Sequence, residues 1–222
     1  MSIINLFRFI LFYFYIICIQ DDTDFMPNKN GSIKKIQLSR KNNYTRCNDR
    51  LFSIQRSKVV LIGSSIISRW NLTNIFGFKK IKNNGISGLF TKDLFKTNLD
   101  FSNPKYIIFY CGGNDLRTNI SPYIIINNIN QYLEFLIKQY PNTKVILLSI
   151  LLSDSMEHLK KESNIINKMY KELPNKYPNN IIYINVNRKF NKNPDYYDSD
   201  GIHLNRKGYD KLQNIIETHI NI

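Results

Sequence analysis

From Lys58 onward the chain alternates short apolar runs with longer amphipathic stretches. Val59-Val60-Leu61-Ile62, closed by Gly63, has the length and β-branched content of a buried strand. Tyr106 to Tyr110, Val145 to Ile150 and Ile181 to Val186 read the same way, and Lys80 to Asn83 reads as a short edge strand. Helical patterns lie between them. Ser121-Pro122 opens one, with Ser as N-cap and Pro at the first helical position. Along it Ile126, Ile129, Tyr132, Leu133, Leu136 and Ile137 recur at helical spacing, and Pro141 follows its end. Thr91 to Asn98 reads as a short helical piece, and Met156 to Leu173 as a helix stopped before Pro174. The last runs from Asn205 to about His219, with Tyr209, Leu212, Ile215 and Ile216 on one face. Continuous apolar strands alternating with such helices predict a parallel sheet covered on both faces, a doubly wound, three-layer α/β/α sandwich. Ligands of such folds meet residues just beyond the carboxyl ends of the strands.

The pattern differs before residue 57. Phe9 to Ile19 is an unbroken apolar run after a start carrying Arg8, followed by Gln20-Asp21-Asp22. Residues 1–20 therefore read as a signal peptide or an uncleaved signal-anchor, since the run is short for a membrane span of about 20 residues. A buried helix of the domain is the plainer alternative. Residues 21–56 are polar, with few periodic apolar positions, and read as a linker or lead-in. The remaining 57–222 form the predicted folded domain. A secreted or membrane-anchored protein follows as the expected localisation, with membrane association through the apolar segment.

Composition adds little. The formal charge is +14, from 31 Lys+Arg against 17 Asp+Glu. Such an excess suits an anionic partner, but the lysines are scattered, as in a chain biased toward Lys, Asn and Ile throughout. No nucleic-acid partner is expected, because no interleaved aromatic–basic motif occurs. Cys18, Cys47 and Cys111 lack paired-ligand spacing, so structural zinc is not expected. Cys47 and Cys111 could pair in an oxidising compartment, though Cys111 ends a predicted strand, as a buried free thiol would.

Four short segments carry chemistry. Gly63-Ser64-Ser65 follows the first strand, where a Ser can open a helix. Asn84-Gly85-Ile86-Ser87-Gly88 permits a tight turn with exposed N–H groups. Cys111-Gly112-Gly113-Asn114-Asp115 follows the strongest strand and supplies an amide donor at Asn114. Asp198-Ser199-Asp200-Gly201-Ile202-His203 places an acid three residues before a His, close enough to fix its tautomer. His158 and His219 have no comparable partner in sequence. Each segment alone is as well explained by an ordinary turn or cap. Together, in this order, they supply a nucleophile, oxyanion donors and an acid–base pair.

On these residues the chain resembles the SGNH/GDSL hydrolase superfamily over roughly residues 57 to 220. The four residues that name that superfamily match Ser65, Gly88, Asn114 and His203. The first block often reads Gly-Asp-Ser; here Ser64 stands in the Asp position, a variant that often goes with a nearby Arg-Trp, as in Arg69-Trp70. The resemblance implies a five-stranded parallel, flavodoxin-like sheet. It implies Ser65, His203 and Asp200 as catalytic residues, and the N–H groups of Ser65 and Gly88 with the Asn114 amide as the oxyanion hole. No metal or organic cofactor is needed. Asp115 is expected to be structural. Trp70 and Phe90 are expected in the core or along the acyl pocket. The expected function is a serine esterase acting on a short-acyl ester, such as O-acetyl groups on a glycan or a lysophospholipid or acetyl-phospholipid. The alternative is a catalytically inactive binding module for a glycan or lipid surface.

Overall fold

The computed structural model describes residues 59–71, 81–97, 99, 101 and 103–220, all within the unit Ile54–Ile222. The segments read as residues 1–20 and 21–56 lie outside the described residues, as do Cys18, Cys47 and Lys80.

Five parallel strands form one sheet: β1 (Val59–Gly63), β2 (Ile81–Gly85), β3 (Tyr106–Tyr110), β4 (Lys144–Leu148) and β5 (Ile181–Ile184), in the order β2-β1-β3-β4-β5. β1 and β3 are buried at every position, hence their unbroken apolar sequences. β2 holds the edge and carries polar residues.

Side chains alternate between two cores. Val60, Ile62, Ile107, Phe109, Val145 and Leu147 face α3 (Pro122–Gln139) and α4 (Lys160–Lys176). Val59, Leu61, Ile108, Tyr110, Ile146 and Leu148 face α1 (Ser65–Ser68), α5 (Val186–Phe190) and α6 (Arg206–Glu217). The predicted α/β/α sandwich with a five-stranded parallel sheet is therefore the observed architecture. Burying each of Ile125, Ile129, Leu133 and Leu136 of α3 contributes roughly 1.5–3 kcal/mol.

The structure shifts several boundaries. β4 and β5 end at Leu148 and Ile184, before the apolar residues run out; Ile150 and Val186 are buried beyond the strands. The helix expected over Met156–Leu173 divides into a 3₁₀ turn, Asp154–Leu159, and α4. Pro174 does not stop α4, because it stands in the last turn, where its ring costs one hydrogen bond, and Tyr177 N still bonds Leu173 O. Thr91–Lys96 is 3₁₀ rather than α. Ser121 is the N-cap of α3, yet its side chain makes no capping bond. The short α2 (Gly113–Arg117) and α5 were not legible as helices.

Sheet order decides where a site can form. The chain winds one way from β1 to β2 and the other way through β3, so the crossover connections part between β1 and β3. A crevice opens at such a reversal, beyond the carboxyl ends of the two strands. Ser65 follows β1 and Asn114 follows β3.

Candidate active site

At Gly63 the backbones of β1 and β3 approach closely. Ser64 N donates to Tyr110 O at 3.1 Å, and Ile86 N donates to Gly63 O at 2.9 Å. A Cβ at Gly63 would lie 2.0 Å from Tyr110 O, so only glycine permits this approach. The chain then turns directly into α1, with Ser65 as its first residue. The N–H of a first helical residue has no acceptor within its helix, so that of Ser65 is left for a ligand.

α1 is too short to stand alone and is held from outside. Tyr209 of α6 donates its hydroxyl to Ile66 O at 2.9 Å, and Asn83 Nδ2 donates to Ile67 O at 2.8 Å. The first satisfies a carbonyl that the helix end otherwise leaves open, and the second reinforces Ile67 O, which also accepts from Trp70 N at 3.0 Å. Tyr209 also stacks on Trp70, with ring centroids 5.7 Å apart. Trp70 belongs to the core, whereas Phe90 is half-buried beneath the Lys92 ammonium. Tyr209 and Asn83 escaped the sequence reading; only their contact with α1 marks them.

The segment bearing His203 is folded by local bonds. Asp200 Oδ1 accepts from the backbone N–H groups of Ile202 at 2.8 Å and His203 at 2.9 Å. Asp200 Oδ2 lies 2.5 Å from His203 Nδ1. These donors, the His203 ring first among them, hold the Asp200 carboxyl well below the usual carboxylate range. Asn205 caps α6 through Gly208 N at 3.0 Å and ties back to the carbonyls of Asp195 and Tyr197.

The two segments converge. His203 Nε2 lies 2.9 Å from Ser65 Oγ, across 138 positions of sequence. Of the two adjacent serines, Ser65 is the one that faces the ring. A carboxylate can only accept, so Nδ1 carries the proton toward Asp200 and Nε2 accepts the Ser65 hydroxyl proton. Ser65 is buried, while the Asp200 side chain keeps 41% of its exposure.

The turn carrying Gly88 links both sides of the crevice. Ser87 Oγ lies 2.7 Å from Ser68 Oγ on α1, and Leu89 O accepts from Asn114 Nδ2 at 3.0 Å. Gly88 has φ +77°, a left-handed conformation natural to glycine, and space around it is open. An amide nitrogen has two hydrogens, so Asn114 keeps one after serving Leu89. Asp115, buried beneath, accepts from Thr91 N at 3.1 Å and Thr91 Oγ1 at 2.6 Å. Asn128 of α3 adds a bond to Thr91 Oγ1 at 3.1 Å. Asp115 thus caps the 3₁₀ turn and pins the Gly88 loop to α2. Cys111 lies behind it, buried and reduced, with burial pushing its thiol up.

An α/β/α sandwich with a Ser–His–Asp cluster at the β1/β3 crevice defines a class of ester-cleaving serine hydrolases. The chain belongs to the GDSL-like lipase/acylhydrolase family, whose sequence pattern matches residues 66–211. Solved structures share its fold. A Streptococcus pneumonia protein provisionally described as a platelet activating factor is 23% identical, with a TM-score of 0.65 over 85% of this chain and 99% of that one. A catalytic mutant of an acetylxylan esterase from Geobacillus stearothermophilus is 13% identical, with a TM-score of 0.60 over 76% of this chain and 95% of that one. A carbohydrate esterase family 3 protein from Talaromyces cellulolyticus is 19% identical, with a TM-score of 0.58 over 74% and 96%. No curated protein matches the sequence. Among the described residues no helix is long and apolar enough to cross a membrane.

Proposed function

We propose that the chain removes short acyl groups, O-acetyl above all, from a glycan, through Ser65, His203 and Asp200. The 2.9 Å contact between Ser65 Oγ and His203 Nε2 carries this reading. Ser65 Oγ forms a bond to the ester carbonyl carbon as its proton passes to His203 Nε2. Asp200 steadies the resulting imidazolium through Nδ1. The oxyanion is met by the N–H groups of Ser65 and Gly88 and the second hydrogen of the Asn114 amide. The C–O bond to the alcohol then breaks, and His203 returns its proton to the leaving oxygen. Water repeats the sequence on the acyl-enzyme, releasing the acid and restoring Ser65.

Three considerations support the acetyl-glycan substrate. Structures of the same fold include an acetyl esterase with acetate ion, an acetylxylan esterase and a carbohydrate esterase. The chain passes from β1 into α1 through Ser64 alone and from β3 into α2 through Cys111 and Gly112, and turns this tight suit a small acyl group. The apolar start at residues 1–20, read as a secretory signal or anchor, suits a substrate met outside the cell.

The test is turnover of p-nitrophenyl acetate, butyrate and octanoate beside acetylated xylo-oligosaccharides and an acetyl-phospholipid. Activity is expected to be highest for acetyl esters and to include the sugars. Ser65→Ala is expected to lower kcat by about 10⁴-fold or more. Wild-type turnover by Ser65→Ala defeats the mechanism. A preference for octanoate or the phospholipid over acetylated sugar defeats the substrate.

A further inference from the structure

The outer edge of the sheet carries a second feature. β5 has no described strand beside it on that side. A cavity of about 580 Å³ wraps the edge and takes Lys171 from α4, Arg188 and Lys189 from α5, and His219 from just beyond α6. A second hollow of about 240 Å³ adjoins it, sharing Lys189 and His219 and adding Lys211. Together they form a trough lined by none of the residues around Ser65, Asp200 and His203. His219 is fixed at the junction, its Nδ1 2.9 Å from Ile215 O.

The charge is one-sided. No carboxylate lines either hollow among the described residues. Among the described residues Lys171, Arg188, Lys189 and Lys211 form no ion pair, whereas Lys96, Lys160, Lys176 and Lys192 each do. Unmatched cations on a concave wall focus a positive potential into the cleft. They are also spread along its length, so a single small anion would meet only part of them. Tyr183, half-buried, sets one aromatic ring among the charges, while Ile184 beside it is buried in the core. A chain of sugar rings bearing acidic groups matches both features: a ring face on Tyr183, anions on the cations around it.

We infer that the β5-edge trough binds an acidic oligosaccharide at a site separate from the ester-cleaving centre. The inference stands whether or not Ser65 cleaves acetylated sugar. Its ligand requirement is anionic substituents repeated along a glycan chain.

The test measures binding by the full chain of a fluorescent sulfated hexasaccharide, with the unsulfated hexasaccharide, inorganic phosphate and phosphatidylserine vesicles as comparison probes. The expected result is binding of the sulfated sugar with little response to the neutral one. The triple variant Lys171→Glu, Arg188→Glu, Lys189→Glu is expected to weaken it by roughly 10- to 100-fold. Its turnover of p-nitrophenyl acetate should match wild type, reporting an intact fold. A control carrying Lys105→Glu, Lys138→Glu and Lys161→Glu changes the net charge equally and should keep its affinity. Equal loss in both variants overturns the site, because general charge then explains binding. No binding of the sulfated sugar, or binding of phosphate or vesicles in its place, overturns the ligand.

Discussion

The segment that carries Ser65 and the segment that carries His203 are built by different means. Ser65 is set by the sheet: Gly63 is pressed between its neighbours, Ser64 N reaches Tyr110 O, and Asn83 and Tyr209 clamp α1 from β2 and α6. His203 is set by its own neighbourhood, through the turn that closes on Asp200 and the Asn205 cap. One side chain is buried and its support is global; the other stands on a half-open loop with local support. Damage near Ser65 should therefore cost stability and activity together, while damage near His203 should cost activity alone.

Gly63→Ala should break the comparison most severely. A methyl group 2.0 Å from Tyr110 O forces the ends of β1 and β3 apart. A loss of roughly 4 kcal/mol or more in unfolding free energy is expected, with esterase activity falling alongside. Chemical denaturation followed by circular dichroism reads the first quantity. A variant as stable as wild type would mean that the sheet does not set the Ser65 position.

Asp200→Asn should give the opposite result. The amide cannot hold His203 in the same tautomer, and kcat should fall by about 10⁴-fold. Thermal stability at neutral pH should barely move, because water screens a side chain this exposed. The sign in acid follows from the lowered carboxyl. Its small stabilisation is present above the ordinary carboxylate pKa of about 3.9 and is lost as pH falls through the lower folded-state value. Any stability gap between wild type and Asp200→Asn should thus persist to about pH 4 and close only in stronger acid. A gap that closed near neutrality would contradict the Asp200–His203 geometry.

Asn114→Ala sharpens the comparison from the third side of the crevice. Removing one proposed oxyanion donor should lower kcat by about 10²–10³-fold with KM little changed. The lost bond to Leu89 O should cost about 1 kcal/mol, visible as a modest drop in melting temperature. Unchanged kcat would remove Asn114 from the reaction.

How far the sequence could be read follows the same division. β1 and β3 were legible because strands buried on both faces leave an unbroken apolar run. Asp200 and His203 were legible because their partnership is local, three positions apart. The supports of Ser65 and of the Gly88 loop were not, since Asn83 and Tyr209 for the one and the Thr91–Asp115–Asn128 network for the other act across long separations through polar types that are common everywhere in this chain. Pro174 misled because a proline's cost depends on its position in the turn. The β5-edge trough was hidden among scattered lysines; only folding brings Lys171, Arg188, Lys189 and His219 around one hollow.

The proposed reaction rests on one hydroxyl made nucleophilic by one ring. A fluorophosphonate probe, followed by peptide mass spectrometry, reads that property without any assumption about substrate. The expected result is a single covalent label on Ser65 in the wild-type chain and its loss in His203→Ala. A label on Ser64, or a folded chain that takes no label at all, would contradict it.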